Sequence, residues 1–168
     1  AMEIIFTSHL ENGKPTLTLI GSIHAFSEKE AADGLKLMES CPVLSKAKFN
    51  RAAIPYGGPK MSAITRKNID GIWTSASGEK ILAAGRDAFL KLPTPESTML
   101  WMHWGPSQKL PDMAYSLQAD TYLSPSIHYT DAKDDQRVAE WVANAVNSFR
   151  PISIGSQMKD RKSTRLNS

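Results

Sequence analysis

One cysteine, Cys41, is the only thiol in the chain. Alone it closes no internal disulfide and builds no cysteine cluster, which fits a reducing, cytoplasmic compartment. Long apolar runs are missing as well. None nears the roughly 18–20 residues that a bilayer-crossing helix needs, so neither a transmembrane helix nor a membrane partner is expected. A strand-like pattern begins almost at the first residue, so no signal peptide is expected either. The four histidines, His9, His24, His103 and His128, show none of the short spacings of a metal site. An excess of one charge is also absent from most of the chain. Four of the 20 basic residues (Lys159, Arg161, Lys162, Arg165) fall in the last ten positions against one acid there, Asp160, of 17 in all. The first 158 residues are therefore formally neutral, and the sequence pI of about 9.0 belongs to the tail. A nucleic-acid partner needs a basic face, and this body offers none.

What is present suffices for one core. With 168 residues, 41% of them hydrophobic, a single domain over residues 1–158 is expected. The closing KDRKSTRLNS has no apolar periodicity, and residues 159–168 are expected to be a disordered, non-native tail. Ala1 reads as a tag remnant before Met2.

Along the body, Glu3–His9 and Pro15–His24 predict a hairpin around Glu11-Asn12-Gly13-Lys14, because Asn-Gly suits a tight primed turn. Ser27 with Glu30 has capping-box spacing and opens a helix with Ala31, Leu35 and Met38 on one face, ended by Cys41-Pro42. Lys46–Ile54 is a weaker strand candidate, leading into Tyr56-Gly57-Gly58-Pro59. That loop lacks the strand-to-helix fingerprint of a dinucleotide site. Ile69–Ser75 predicts a short strand. Ser77 caps a helix to about Lys91 whose buried side is read as Ile81, Leu82, Phe89 and Leu90; Ser77-x-x-Lys80 is an ordinary helix start rather than a hydrolase motif. Thr98–Trp104 is a strand apolar on both parities, hence a central one with both faces covered. Pro106–Asp120 reads as a loop. Tyr122–Thr130 is a strand, Asp131 caps a helix with the stripe Val138, Trp141, Val142, Ala145, Val146 and Phe149, and Ile152–Gln157 closes the domain as a strand.

This order predicts an α+β fold, a mostly antiparallel sheet with helices packed on one face. Three of the strands alternate apolar with polar residues. Leu17, Leu19 and Ile23 alternate with Thr18, Ile20, Ser22 and His24; Leu123, Ile127 and Tyr129 with Ser124, Ser126 and His128; Ile152 and Ile154 with Ser153, Gly155 and Gln157. Side chains alternate across a strand, so the sheet has one greasy face and one face of hydroxyls, histidine and amide. The second face is either plain solvent surface or the wall of a polar ligand site. His24 and His128 share it by parity and would meet only if their strands were neighbours. The parity of Met102 against His103 is left open by the pattern.

The layout over Glu3–Asp160, and most specifically STMLWMHWGP followed by TYLSPSIHYTDAKDDQRVAEWVANAVNSFRPISIGSQMKD, resembles the substrate-binding domain of berberine bridge enzyme-like FAD-linked oxidases of the vanillyl-alcohol oxidase superfamily. The resemblance implies a piece of a flavoenzyme that oxidises an alcohol, sugar or related small molecule, with FAD held by a separate FAD-binding domain of the same parent chain. No FAD is expected on this fragment alone, which is expected to be inactive. The face away from the helices would roof the flavin ring and the substrate, and the substrate-binding candidates are Met102, Trp104, Ser126, His128 and Gln157. In such oxidases the strand before a Gly-Gly pair often carries a glutamate base. Here Met102 holds that place, and a thioether cannot serve as the base; Gly105-Pro106 replaces the glycine pair. Ile154-Gly155-Ser156-Gln157 stands where the family shows Tyr-x-Asn-Tyr. No catalytic residue is assigned. The alternative is a stand-alone α+β binding module that forms a homodimer through its exposed sheet face.

Overall fold

The computed structural model describes residues 2–23, 25–42, 66–103 and 119–156. Strand β1 (Met2–Glu11) turns into β2 (Lys14–Ile23), followed by helix α1 (Glu28–Glu39). The short strands β3 (Arg66–Ile69) and β4 (Ile72–Thr74) lead to helix α2 (Gly78–Leu90) and strand β5 (Thr98–His103). Strand β6 (Thr121–Tyr129), helix α3 (Asp135–Phe149) and the two-residue strand β7 (Gly155–Ser156) complete the order.

The seven strands form one sheet, β2-β1-β5-β6-β4-β7, with β3 also pairing with β6, and every pairing is antiparallel. The expected α+β class is thus the observed one. The β1–β2 hairpin closes through Asn12 and Gly13 at φ 51° and 75°, the left-handed pair that a type I′ turn requires. Strand β5 lies inside the sheet between β1 and β6, as its apolar residues on both parities imply.

Helices α2 and α3 build the core on one face. Ile81 and Phe89 of α2, and Val138, Val142 and Phe149 of α3, pack with Met99, Leu123 and Ile127 of the sheet. Ser77 caps α2 by accepting from the Lys80 amide. The α1 capping box is displaced by one residue: Ser27 Oγ accepts from the Glu30 amide, while the Glu30 carboxylate accepts from the Phe26 amide.

Several expectations are corrected. The stretch read as one strand over Ile69–Ser75 is two, broken at Asp70-Gly71, and both halves pair with β6. Leu82 and Leu90 are exposed, because the buried stripe of α2 runs through Ile81, Gly85, Ala88 and Phe89, and those two leucines lie one residue past it. Asp131 caps a 3-10 turn, Ala132–Asp134, and not α3 itself. The closing segment is strand only at Gly155–Ser156; Arg150–Ile152 is a 3-10 turn and Ile154 is 51% exposed, so the predicted alternation there has no sheet face to serve. The candidate strand Lys46–Ile54, the Tyr56–Pro59 loop, most of the 106–120 connection and the closing tail lie outside the described residues.

Candidate functional site

Registers of the sheet decide which side chains share the face that α2 and α3 leave uncovered. On β6 the core takes Leu123, Ile127 and Tyr129, so Tyr122, Ser124, Ser126 and His128 fall on the opposite face. Directly opposite them are Met102 across from Tyr122, Leu100 across from Ser124 and Thr98 across from Ser126, all on β5. On the other edge of β6, Lys67 is set against His128, Ile69 against Ser126 and Trp73 against Tyr122. Strand β1 continues the face with Ile5 across from Met102 and Thr7 across from Leu100.

Three sequence-predicted site residues, Met102, Ser126 and His128, therefore lie on one face, which settles the parity of β5: Met102 is on the uncovered side. His103 has the parity of the helix side, where its Nδ1 lies 3.3 Å from the Thr121 hydroxyl. The three are spread along the face. Met102 stands in the Tyr122 row, four residues from Ser126 and six from His128, or about 13 and 20 Å along the strand. Trp104, Gln157 and His24 lie outside the described residues. Strands β2 and β6 are separated by β1 and β5, so the condition for a two-histidine site is not met. Among the described residues no three His, Cys, Asp or Glu side chains gather to hold a metal ion.

Chemistry changes along the face. At one end Trp73 and Tyr122 stack with ring centroids 4.8 Å apart, beside Met102. Gly71 admits this arrangement, since a Cβ there would stand 2.4 Å from the Tyr122 hydroxyl oxygen. Leu100 and Ser124 form the middle; the Ser124 hydroxyl donates to the Asp70 carbonyl and is thereby spent on the β3–β4 break. At the other end Ser126 Oγ and His128 Nε2 are 3.0 Å apart. The second ring nitrogen, His128 Nδ1, is buried and has no hydrogen-bond partner among the described residues. Thr94 fixes the backbone below, its hydroxyl donating to the His128 carbonyl at 2.6 Å.

Such a face has an apolar, aromatic end suited to covering a flat heteroaromatic ring and a hydrogen-bonding end suited to a polar substrate. Met102, Ser126 and His128 were named from the sequence; the registers add Trp73, Tyr122, Leu100, Thr98 and Lys67 to the same face. The parity of Tyr122 with Ser124 was visible in its own strand; cross-strand neighbours depend on register, which no single strand encodes. A separate cavity of about 530 Å³ lies between α2 and α3, lined by Ala84, Gly85, Arg86, Trp141, Asn144 and Ser148 among others. It is remote from this face.

No family model matches the chain. It is 31% identical over 93 residues to the FAD-linked oxidoreductase penO of Penicillium crustosum, covering 54% of this chain and 20% of that protein. It is 28% identical over 93 residues to the FAD-linked oxidoreductase ptmO of Penicillium ochrochloron, with 54% and 20% covered. Over 85 residues it is 28% identical to the FAD-linked oxidoreductase nodO of Hypoxylon pulicicidum, with 49% and 19% covered. The match spans about a fifth of each relative's length, and it relates this chain to fungal FAD-linked oxidoreductases.

Proposed function

We propose that this chain is the substrate-binding part of an FAD-dependent oxidoreductase of the berberine bridge enzyme-like type, which oxidises an alcohol, sugar or related small molecule. Its partner is an FAD-binding domain of the same parent chain, and the sheet face away from α2 and α3 covers the flavin ring and the substrate. The observation that carries the reading is the two-ended character of that face, joined to the similarity to FAD-linked oxidoreductases.

FAD, when bound, supplies the two-electron redox chemistry, and the protein supplies orientation and a dry, shaped surface. Residues of this chain that fit against the ring are Trp73, Tyr122, Met102 and Leu100, which are aromatic or apolar, half-buried and on the face away from α2 and α3. Ser126 and His128 meet the substrate. A span of about 20 Å between the Met102 and His128 rows is too long for one small molecule. It suits a ring and a substrate side by side.

The test mixes the full chain with the FAD-loaded flavin-binding segment of one of the fungal relatives. Tryptophan emission should be quenched saturably and the flavin absorption bands should shift, with Trp73→Phe removing a large part of the quench. Anaerobic addition of alcohols or sugars should then bleach the flavin. Indifference to the flavin segment, with concentration-dependent self-association of the chain, would overturn the proposal in favour of a homodimeric binding module without activity.

A further inference from the structure

The position equated with a glutamate base is occupied by Met102, whose thioether cannot take the substrate's proton. The uncovered face offers a replacement elsewhere. We infer that Ser126 and His128 form the proton-accepting pair of the reaction, Ser126 Oγ meeting the substrate hydroxyl and His128 Nε2 receiving the proton. The inference rests on the functional reading above and names the chemistry of its polar end.

Four observations place the pair. Ser126 Oγ lies 3.0 Å from His128 Nε2, within proton-transfer reach. Both side chains project from one strand on the face away from α2 and α3, two residues apart and hence on the same side. The Thr94 hydroxyl anchors the His128 carbonyl, and Ser126 is held between Thr98 and Ile69 in register, so neither backbone position is free to swing. Finally, Nδ1 is buried without a partner, so substrate reaches the imidazole only through Nε2 and the serine hydroxyl in front of it. This order requires the tautomer with the proton on Nδ1 and the lone pair on Nε2, Ser126 donating to it.

The balance is that of an alcohol oxidation. The O–H bond of the substrate breaks, its proton passes to Ser126 Oγ, and the serine proton passes to His128 Nε2. The carbinol C–H bond breaks with its electron pair, which leaves with the hydrogen as hydride for FAD, the oxidant. Carbon and oxygen are left doubly bonded as an aldehyde, ketone or lactone. Among the described residues, the charged and titratable groups on the strands and turn flanking His128 are three. Lys67 on β3 is directly opposite, Glu96 lies in the turn before β5, and His9 on β1 lies along the same face beyond Thr98. Arg66 and Asp135 pair with each other on the helix side.

Two measurements test this. Long-range ¹H–¹⁵N NMR of the full, histidine-labelled chain should show His128 Nε2 unprotonated and Nδ1 protonated at neutral pH, with the Nε2 signal moving in Ser126→Ala. A proton on Nε2 would overturn the inference without any flavin present. In the complex with the FAD-loaded segment, His128→Gln should lose about 10²–10⁴-fold in the rate of anaerobic flavin bleaching, and Ser126→Ala should lose at least about tenfold; His9→Gln should keep the rate. Bleaching by the wild type with an unchanged rate in His128→Gln sinks the proton-accepting pair alone. No bleaching by the wild type sinks the oxidase reading and this inference together.

Discussion

Tyr129 shows how one buried hydroxyl ties the end of β6 to α3. Its side chain is largely buried, and burial first, then a hydrogen bond to the Asp135 carboxylate, lift its pKa above the ordinary 10.0; Arg66 opposes part of that shift. Arg66 in turn holds Asp135 through one guanidinium nitrogen at 2.7 and 2.9 Å. The sign follows from proton counting. A phenol whose folded pKa is raised keeps its proton in the native state where the unfolded chain has released it. Its contribution is fully present below pH 10 and is lost as pH climbs through the folded value. Denaturant melts taken from pH 9 upward should therefore show stability falling with pH, and Tyr129→Phe should flatten that slope. An equal slope in the variant would mean that the proton is not held there. Sequence alone could place Tyr129 on the core side of its strand, since it alternates with His128. It could not show Asp135 beneath it, because Asp135 is on another element and reaches the tyrosine only once α3 has docked.

Between elements, α2 approaches α3 closely at Gly85. The path of α2 is broken at Gly85, whose φ of −148° and ψ of 34° are not helical. A Cβ built at Gly85 would stand 2.2 Å from the Phe149 ring, so the glycine is there for close approach rather than for an unusual φ. Phe149 is 1% exposed and stacks edge-on against Phe89 at 6.2 Å, which leaves the ring no direction in which to retreat. Gly85→Ala should therefore cost about 1–3 kcal/mol of overpacking in urea unfolding. In a Phe149→Ala background, itself weakened by about 3–5 kcal/mol, the added cost of Gly85→Ala should nearly vanish, since residues in contact are not additive. A penalty that stays the same in both backgrounds would trace the effect to the helix break and not to the ring. Both helices, and the α3 stripe from Val138 to Phe149, were legible because a period of 3.6 residues survives in a single sequence. The wrong assignment of Leu82 and Leu90 has a local origin. Four large apolar residues invite grouping, while the phase that buries Ile81, Gly85, Ala88 and Phe89 passes through two small residues that carry little hydrophobic signal.

At the scale of the molecule, strand identity and face were readable and strand order was not. The alternation on β2 and β6 gave the uncovered face its polar character, and the doubly apolar Met99–Met102 stretch marked β5 as interior. That β3 and β4 share one edge of β6, bringing Lys67 and Trp73 to the candidate site, rests on pairings distant in sequence. The same sheet order sets a gradient of protection against opening. Strand β6 is bonded on both edges and carries Leu123 and Ile127, both fully buried, while β5 beside it carries fully buried Met99. Strand β2 pairs only with β1 among the described strands, and its Leu17 and Ile20 are 61% and 41% exposed. Opening β6 requires breaking two ladders and exposing the helix-packed core, whereas the outer amides of β2 need no neighbour to leave. Native-state hydrogen exchange should accordingly find the slowest amides at Leu123, Ser124, Ser126 and Ile127 and at Met99–Trp101, exchanging only with global unfolding. The outward amides of Thr16–Ser22 should exchange fastest within the sheet, by orders of magnitude. Protection of β2 equal to that of β6 would contradict this gradient. If it also grew with protein concentration, a second copy would be seated on the β2 edge.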